Sequence, residues 1–218
     1  MTAMLADFII PGVPTGTELT ALLVVICFSA GLNVYATVAM LGLLARGHFL
    51  TLPASLHLLM SWYVVGICTA LFAIEFIGDK IPVFDLLWNA MHTFVRVPAA
   101  ALLTYAATAQ LPEWERLAAT FVGASIALAA HAGKVAARAT VTASPEPFSN
   151  VALSAGEDAA VVFLTWFATR HVYAAAAIVL MVLAIIVVAI RAVIRAMRYL
   201  FRDTERTLAD TAKRAAAE

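Results

Sequence analysis

The chain has 218 residues, 63% of them hydrophobic and only 13% charged, with a mean hydropathy of +0.93. A soluble domain is about 25% charged, so the composition argues against a water-soluble globule and for an integral membrane protein. Fourteen basic residues balance fourteen acidic ones, so no nucleic-acid partner is suggested, and the lipid bilayer is the expected partner.

Residues 1–18 read as an interfacial lead-in. The first twenty residues hold no Lys or Arg, whereas a secretory signal opens on a basic stretch, and Pro11 and Pro14 break the segment. A helix needs about 20 mainly apolar residues to cross the hydrocarbon. Within a transmembrane domain of residues 19–190, six segments qualify: 19–44, 58–77, 84–107, 114–139, 151–168 and 172–190. The expected fold is therefore an all-α membrane bundle of about six transmembrane helices. Gly31 marks a weak point in the first of them. Cys27 and Cys68 lie inside apolar runs and read as small buried hydrophobes.

Residues 191–218 form a charged, Ala-rich tail holding Arg191, Arg195, Arg198, Arg202, Arg206, Lys213 and Arg214. Basic residues flanking a crossing favour the cytoplasm. The tail then lies inside, and six crossings place the N-terminus inside as well, in a bacterial inner membrane. The halves also look faintly alike. Residues 29–39, "SAGLNVYATVA", resemble 131–141, "HAGKVAARATV", and each string precedes a proline-containing connection. An inverted 3+3 repeat would put a site at the repeat interface; the plainer reading is chance likeness between Ala- and Val-rich helices.

The ionisable residues carry the functional expectation. Asp85, Asn89, His92 and Arg96 are spaced i, i+4, i+7, i+11, which puts them in one stripe of a helix. The plainer reading makes Asp85 an N-cap after Pro82 and lets Arg96 snorkel, but about a dozen apolar residues follow Arg96. His131, Lys134 and Arg138, at i, i+3, i+7, share a face of the fourth segment. There Gly123, Ala124, Ala127 and Ala130 permit close packing, and Lys134 and Arg138 could equally be anchors at a cytoplasmic end. Glu75 and Asp79 close the second segment. Glu157 and Asp158 lie inside the fifth, unless the helix starts at Ser154 and "SAGE" is only a capping box. Residues 142–150, with two prolines, form either a plain connection or a re-entrant element.

Charges in hydrocarbon are expensive unless paired or facing a cavity. Five acids and four bases, counting Lys80, nearly cancel, so segments two to five are expected to meet around one polar centre, joined by Asn33 and Tyr35. The carboxylates and histidines are metal-ligand types, yet the interleaved Lys and Arg make a poor ligand field, so neither metal nor cofactor is expected.

The strings "GLNVYATVAMLGLL", "EFIGDKIPVFDLLWNAMHTFVRVPAAALL", "HAGKVAARATVTASPEPFSN" and "SAGED" together resemble a bacterial membrane family known only as domain of unknown function four-one-two-six. The resemblance implies a multi-pass membrane protein and carries no activity with it. Three functions stay open. The leading one is a transporter or channel for a small polar or charged solute. The site would be Asn33, Glu75, Asp79, Asp85, Asn89, His92, Arg96, His131, Lys134, Arg138, Glu157 and Asp158. The others are a membrane-embedded enzyme or lipid-handling protein acting on lipid head groups, and a structural or assembly protein. Self-association into a homo-oligomer is left open.

Overall fold

The computed structural model describes residues 16–80, 82–142 and 147–215 and, within them, the side chains other than those of residues 82–87, 89–90, 139–142, 147, 150 and 200–215. Most of the expected lead-in, residues 1–15, lies outside the described residues, as do residues 143–146 of the proline-rich connection. Every regular element among the described residues is helical. They are α1 (Gly16–Leu32), α2 (Val34–Arg46), a 3-10 helix (Ala54–Met60), α3 (Trp62–Gly78), α4 (Pro82–Ala107), α5 (Glu113–Thr142), α6 (Pro147–Ala168) and α7 (Val172–Ala215).

Three of these are long and apolar enough to cross a membrane: Glu113–Arg138, Val151–Ala168 and Val172–Tyr199. A fourth is added if the 3-10 helix and α3, bent by 62° at their junction, form one span. The span of α7 is only 6% buried, and Leu180, Met181, Ile185 and Val188 are exposed along it. Such apolar exposure suits lipid rather than water. The 26-residue α4 has the length to cross but is not among these spans; its sequence carries Asp85, His92 and Arg96.

The first expected crossing is not one helix. It breaks at Asn33, whose backbone is extended (φ −151°, ψ 101°). A continuous helix would bond the Ala36 N–H to the Leu32 carbonyl. Here the Ala36 N–H donates to Asn33 Oδ1 at 3.0 Å, which is the N-cap role asparagine fills well. The freed Leu32 carbonyl accepts from Lys134 Nζ at 3.2 Å. Each half of the broken bond has thus found a new partner, and the helix can stop and restart inside the protein.

The two halves then fold back. The start of α1 meets the start of α7 through a Thr17–Tyr173 hydroxyl hydrogen bond of 3.1 Å. Just beyond α2, the Phe49 ring lies 5.8 Å from the Arg170 guanidinium, in the α6–α7 turn. Between them, Asn33 bonds to Asp158, ten residues before the end of α6 and so about 15 Å below that turn. With α6 as a ruler, α1 descends from the turn to the level of Asp158, and α2 climbs back. The α1–α2 pair is a hairpin with Asn33 at its tip. The same face carries the 3-10 helix, whose Ser55 donates to the Ala106 carbonyl at the end of α4.

The core is built on α1, with Val25, Ile26, Phe28 and Leu22 buried against Val161, Leu164, Ala175 and Val179 of α6 and α7. Gly31 sits against α5: a Cβ built there would lie 2.8 Å from Ala130 Cβ and 2.9 Å from Ala127 Cα. The expected small-residue face of α5 is therefore what lets α1 approach. Gly31→Val should overpack this contact and cost about 1–3 kcal/mol, read as a lower melting temperature of the detergent-solubilised protein with no change in helix content before melting.

Candidate functional site

Glu75 and Asp79 come from the last turn and C-cap of α3, Arg96 from α4, Lys134 and Arg138 from α5, and Glu157 and Asp158 from α6. All but Glu157 are buried to 4% exposure or less. Glu75 and Arg96 form an ion pair with both side chains fully buried. Lys134 Nζ lies 3.1 Å from Asp79 Oδ2, 3.5 Å from Glu157 Oε2 and 3.7 Å from Glu75 Oε1. Arg138 Nη2 is 2.8 Å from both Asp79 Oδ2 and Glu157 Oε2, and its Nη1 also reaches the Asp79 carbonyl at 3.3 Å. Lys134 is the hub, touching carboxylates from two helices and the broken end of a third.

Asp158 is held differently. Its Oδ1 accepts from the Asn33 amide at 2.9 Å, and its Oδ2 is buried without a hydrogen-bond partner among the described residues. The histidines flank the charges. Arg96 Nη1 lies 2.9 Å from His131 Nδ1. A guanidinium only donates, so this nitrogen accepts, and the ring carries its N–H on Nε2, 2.7 Å from Thr93 Oγ1. His92 Nδ1 faces the Trp88 carbonyl at 2.7 Å, which fixes the N–H there, and its Nε2 meets the Tyr35 hydroxyl at 3.0 Å.

Of the residues singled out in the sequence, the structure gathers Asn33, Glu75, Asp79, Arg96, His131, Lys134, Arg138, Glu157 and Asp158 into one connected network. His92 sits beside it, bonded to Tyr35. The side chains of Asp85 and Asn89 lie outside the described residues. Glu157 is no capping residue: α6 begins at Pro147, which puts Glu157 about 15 Å along it. Lys80, expected to help balance the acids, makes no ion pair among the described residues; its Nζ donates to the Phe76 carbonyl at 2.6 Å and lies over the Phe76 ring. Two participants were not anticipated. Thr93, four residues after Asn89 and three before Arg96, follows the same helical period and was findable. The Leu32 carbonyl was not, because nothing in composition says which carbonyl a helix break will free. Among the described residues no three His, Cys, Asp or Glu side chains converge to hold a metal ion.

An all-helical chain with membrane-length apolar helices and charges buried between them belongs to the class of integral membrane proteins. Within that class, the family model for the domain of unknown function DUF4126 matches residues 21–192, and the chain belongs to this family. Neither a curated protein nor a solved structure matches the chain.

Proposed function

We propose that this protein is a membrane transporter or channel for a small polar or charged solute, with its path at the charge network between the helices. The observation that carries the reading is the α1–α2 hairpin, whose tip ends in the network. Non-helical backbone at membrane depth is tolerated only where protein or a water-filled cavity satisfies it. Transporters use such breaks to bring helix ends to a binding site. Here the C-terminal end of α1 faces Lys134, and Asn33, which caps the N-terminal end of α2, bonds to Asp158, so each end meets the charge that complements its dipole. Buried ionisable groups in a membrane are functional candidates by default.

The basic tail favours a cytoplasmic C-terminus. The hairpin returns α2 to the side on which α1 starts; with α3 to α7 each crossing once, a cytoplasmic tail goes with an extracellular start of α1.

The test is flux. Purified protein in sealed vesicles should move protons, alkali cations or small anions faster than empty vesicles. No excess flux for any of the three overturns the reading in favour of a structural role. That alternative has its own support in the completeness of the Lys134 and Arg138 pairing.

A further inference from the structure

Four described carboxylates, Glu75, Asp79, Glu157 and Asp158, share the network with three cations, Arg96, Lys134 and Arg138. Glu75 is met by Arg96 and Lys134, and Asp79 and Glu157 by Lys134 and Arg138. Asp158 has no ion pair within 4.0 Å among the described residues; there its one hydrogen-bond partner is the neutral Asn33 amide. The charged groups that act on it across the packing are Lys134 of α5 and Asp79 and Glu75 of α3. Glu157 is its neighbour on α6, Asn33 caps α2, and α7 offers only Tyr173 as a titratable group between residues 172 and 190.

On its other side Asp158 borders a cavity of about 540 Å³ between α3 and α6. It is an open groove lined by Phe72, Phe76, Val162, Phe163 and Trp166, and Asp158 is the only ionisable residue lining it among the described residues. An ionised carboxylate with no cation of its own, against aromatic walls, is the costly form. One turn before it on α6, Ser154 is fully buried, and its Oγ is likewise without a partner among the described residues.

We infer that Asp158 is the carrier site of this protein, taking up one monovalent positive charge, a proton or an alkali cation, at Oδ2 while Asn33 holds Oδ1. The inference deepens the transport reading and rests on it. With a proton, the carboxylate and H⁺ become a carboxylic acid, and the four-to-three imbalance among the described residues is neutralised without disturbing the Lys134 hub. With an alkali cation, Oδ2 is a ligand, and Ser154 Oγ is the nearest candidate along the helix to be another. The remaining carboxylates are already engaged by guanidinium or ammonium groups and are poorly placed to release and rebind an ion.

The experiment is infrared spectroscopy of the full chain in lipid vesicles, reading the C=O stretch of a protonated carboxyl group, with a sodium and potassium titration of thermal stability alongside. Wild type should show a carboxylic acid band that is missing from Asp158→Asn. A band indifferent to sodium and potassium assigns the proton. A band that fades as either is added at fixed pH, with a rise in melting temperature absent from D158N, assigns the alkali cation. If D158N does not fold, Asn33→Ala replaces it: loss of the amide donor should move the band to the higher frequency of a carbonyl without a hydrogen bond. A band unmoved in N33A, or the absence of both an Asp158-dependent band and an alkali-dependent stabilisation, overturns the inference. Flux is scored separately, so excess flux without the Asp158 signal sinks this site alone, and the signal without flux sinks the transport reading alone.

Discussion

Lys134→Met should destabilise the protein by roughly 3–5 kcal/mol, the cost of removing one partner from a buried ion pair, and should often prevent recovery of folded material. Methionine matches the stem of lysine in length and flexibility, so packing alone predicts a mild effect. The ammonium is what matters. It lies within 4.0 Å of Glu75, Asp79 and Glu157 and holds the carbonyl that the break at Asn33 frees. Without it, the described network keeps four carboxylates and two guanidinium groups, and the end of α1 is left with an unmet acceptor. The measurement is the melting temperature in detergent, together with the yield of monodisperse protein.

A second substitution separates charge from shape. Asp79→Asn on its own should also destabilise, because Lys134 and Arg138 both lean on Asp79 Oδ2. Combined with Lys134→Met it should restore part of the loss, since the pair removes one charge of each sign. Groups that share a network show couplings of about 0.5–3 kcal/mol, and a double variant whose melting shift equals the sum of the two singles would contradict the pairing described. Arg96→Gln is a useful comparison. Glu75 would keep Lys134 at 3.7 Å, so its effect should be smaller than that of K134M.

The charge network was legible in the sequence because the physics behind it is stoichiometric. Acids and bases embedded in apolar runs must pair or face a cavity, and helical periodicity alone puts Arg96 on a face of one helix and Lys134 and Arg138 on a face of another. The pairing partners could not be read, because spacing orders residues along one helix and is silent on the azimuth between helices. The hairpin was the larger miss. Gly31 marks a weak point in the first segment, but the break falls two residues later, at Asn33. Gly31 serves instead to let α1 approach Ala127 and Ala130. Asparagine within a 26-residue apolar run reads as a tolerated polar residue, and only the arrival of Lys134 and Asp158 from distant helices makes stopping there favourable. The same break weakens the sequence likeness between the halves. Residues 29–39 span the tip of the hairpin, whereas residues 131–141 lie within the continuous α5.

The hairpin changes the parity of the chain, which makes the remaining prediction all-or-none. With α4 counted as a pass by its 26-residue length, beside the bent 3-10 helix and α3, α5, α6 and α7, five passes follow the return of α2 to the side where α1 began. An odd number leaves the start of α1 and the end of α7 on opposite sides of the membrane. A first segment that crossed would put them on the same side. The loop charges are the same in either count: Arg46, Arg116 and Arg170 fall opposite Arg191, Arg195 and Arg198 of the tail, whose basic residues favour the cytoplasm, so the side of the start of α1 is what tells the two counts apart. In a background of Cys27→Ser and Cys68→Ser, single cysteines at positions 17 and 195 should react with a membrane-impermeant thiol reagent from opposite faces of sealed vesicles, Thr17→Cys from the extracellular side and Arg195→Cys from the cytoplasmic side. Labelling of both from one face would mean that α1 and α2 cross as a single kinked span. The tip of the hairpin could not then sit beside Asp158 with both outer ends at the α6–α7 turn, as the Thr17–Tyr173 and Phe49–Arg170 contacts require.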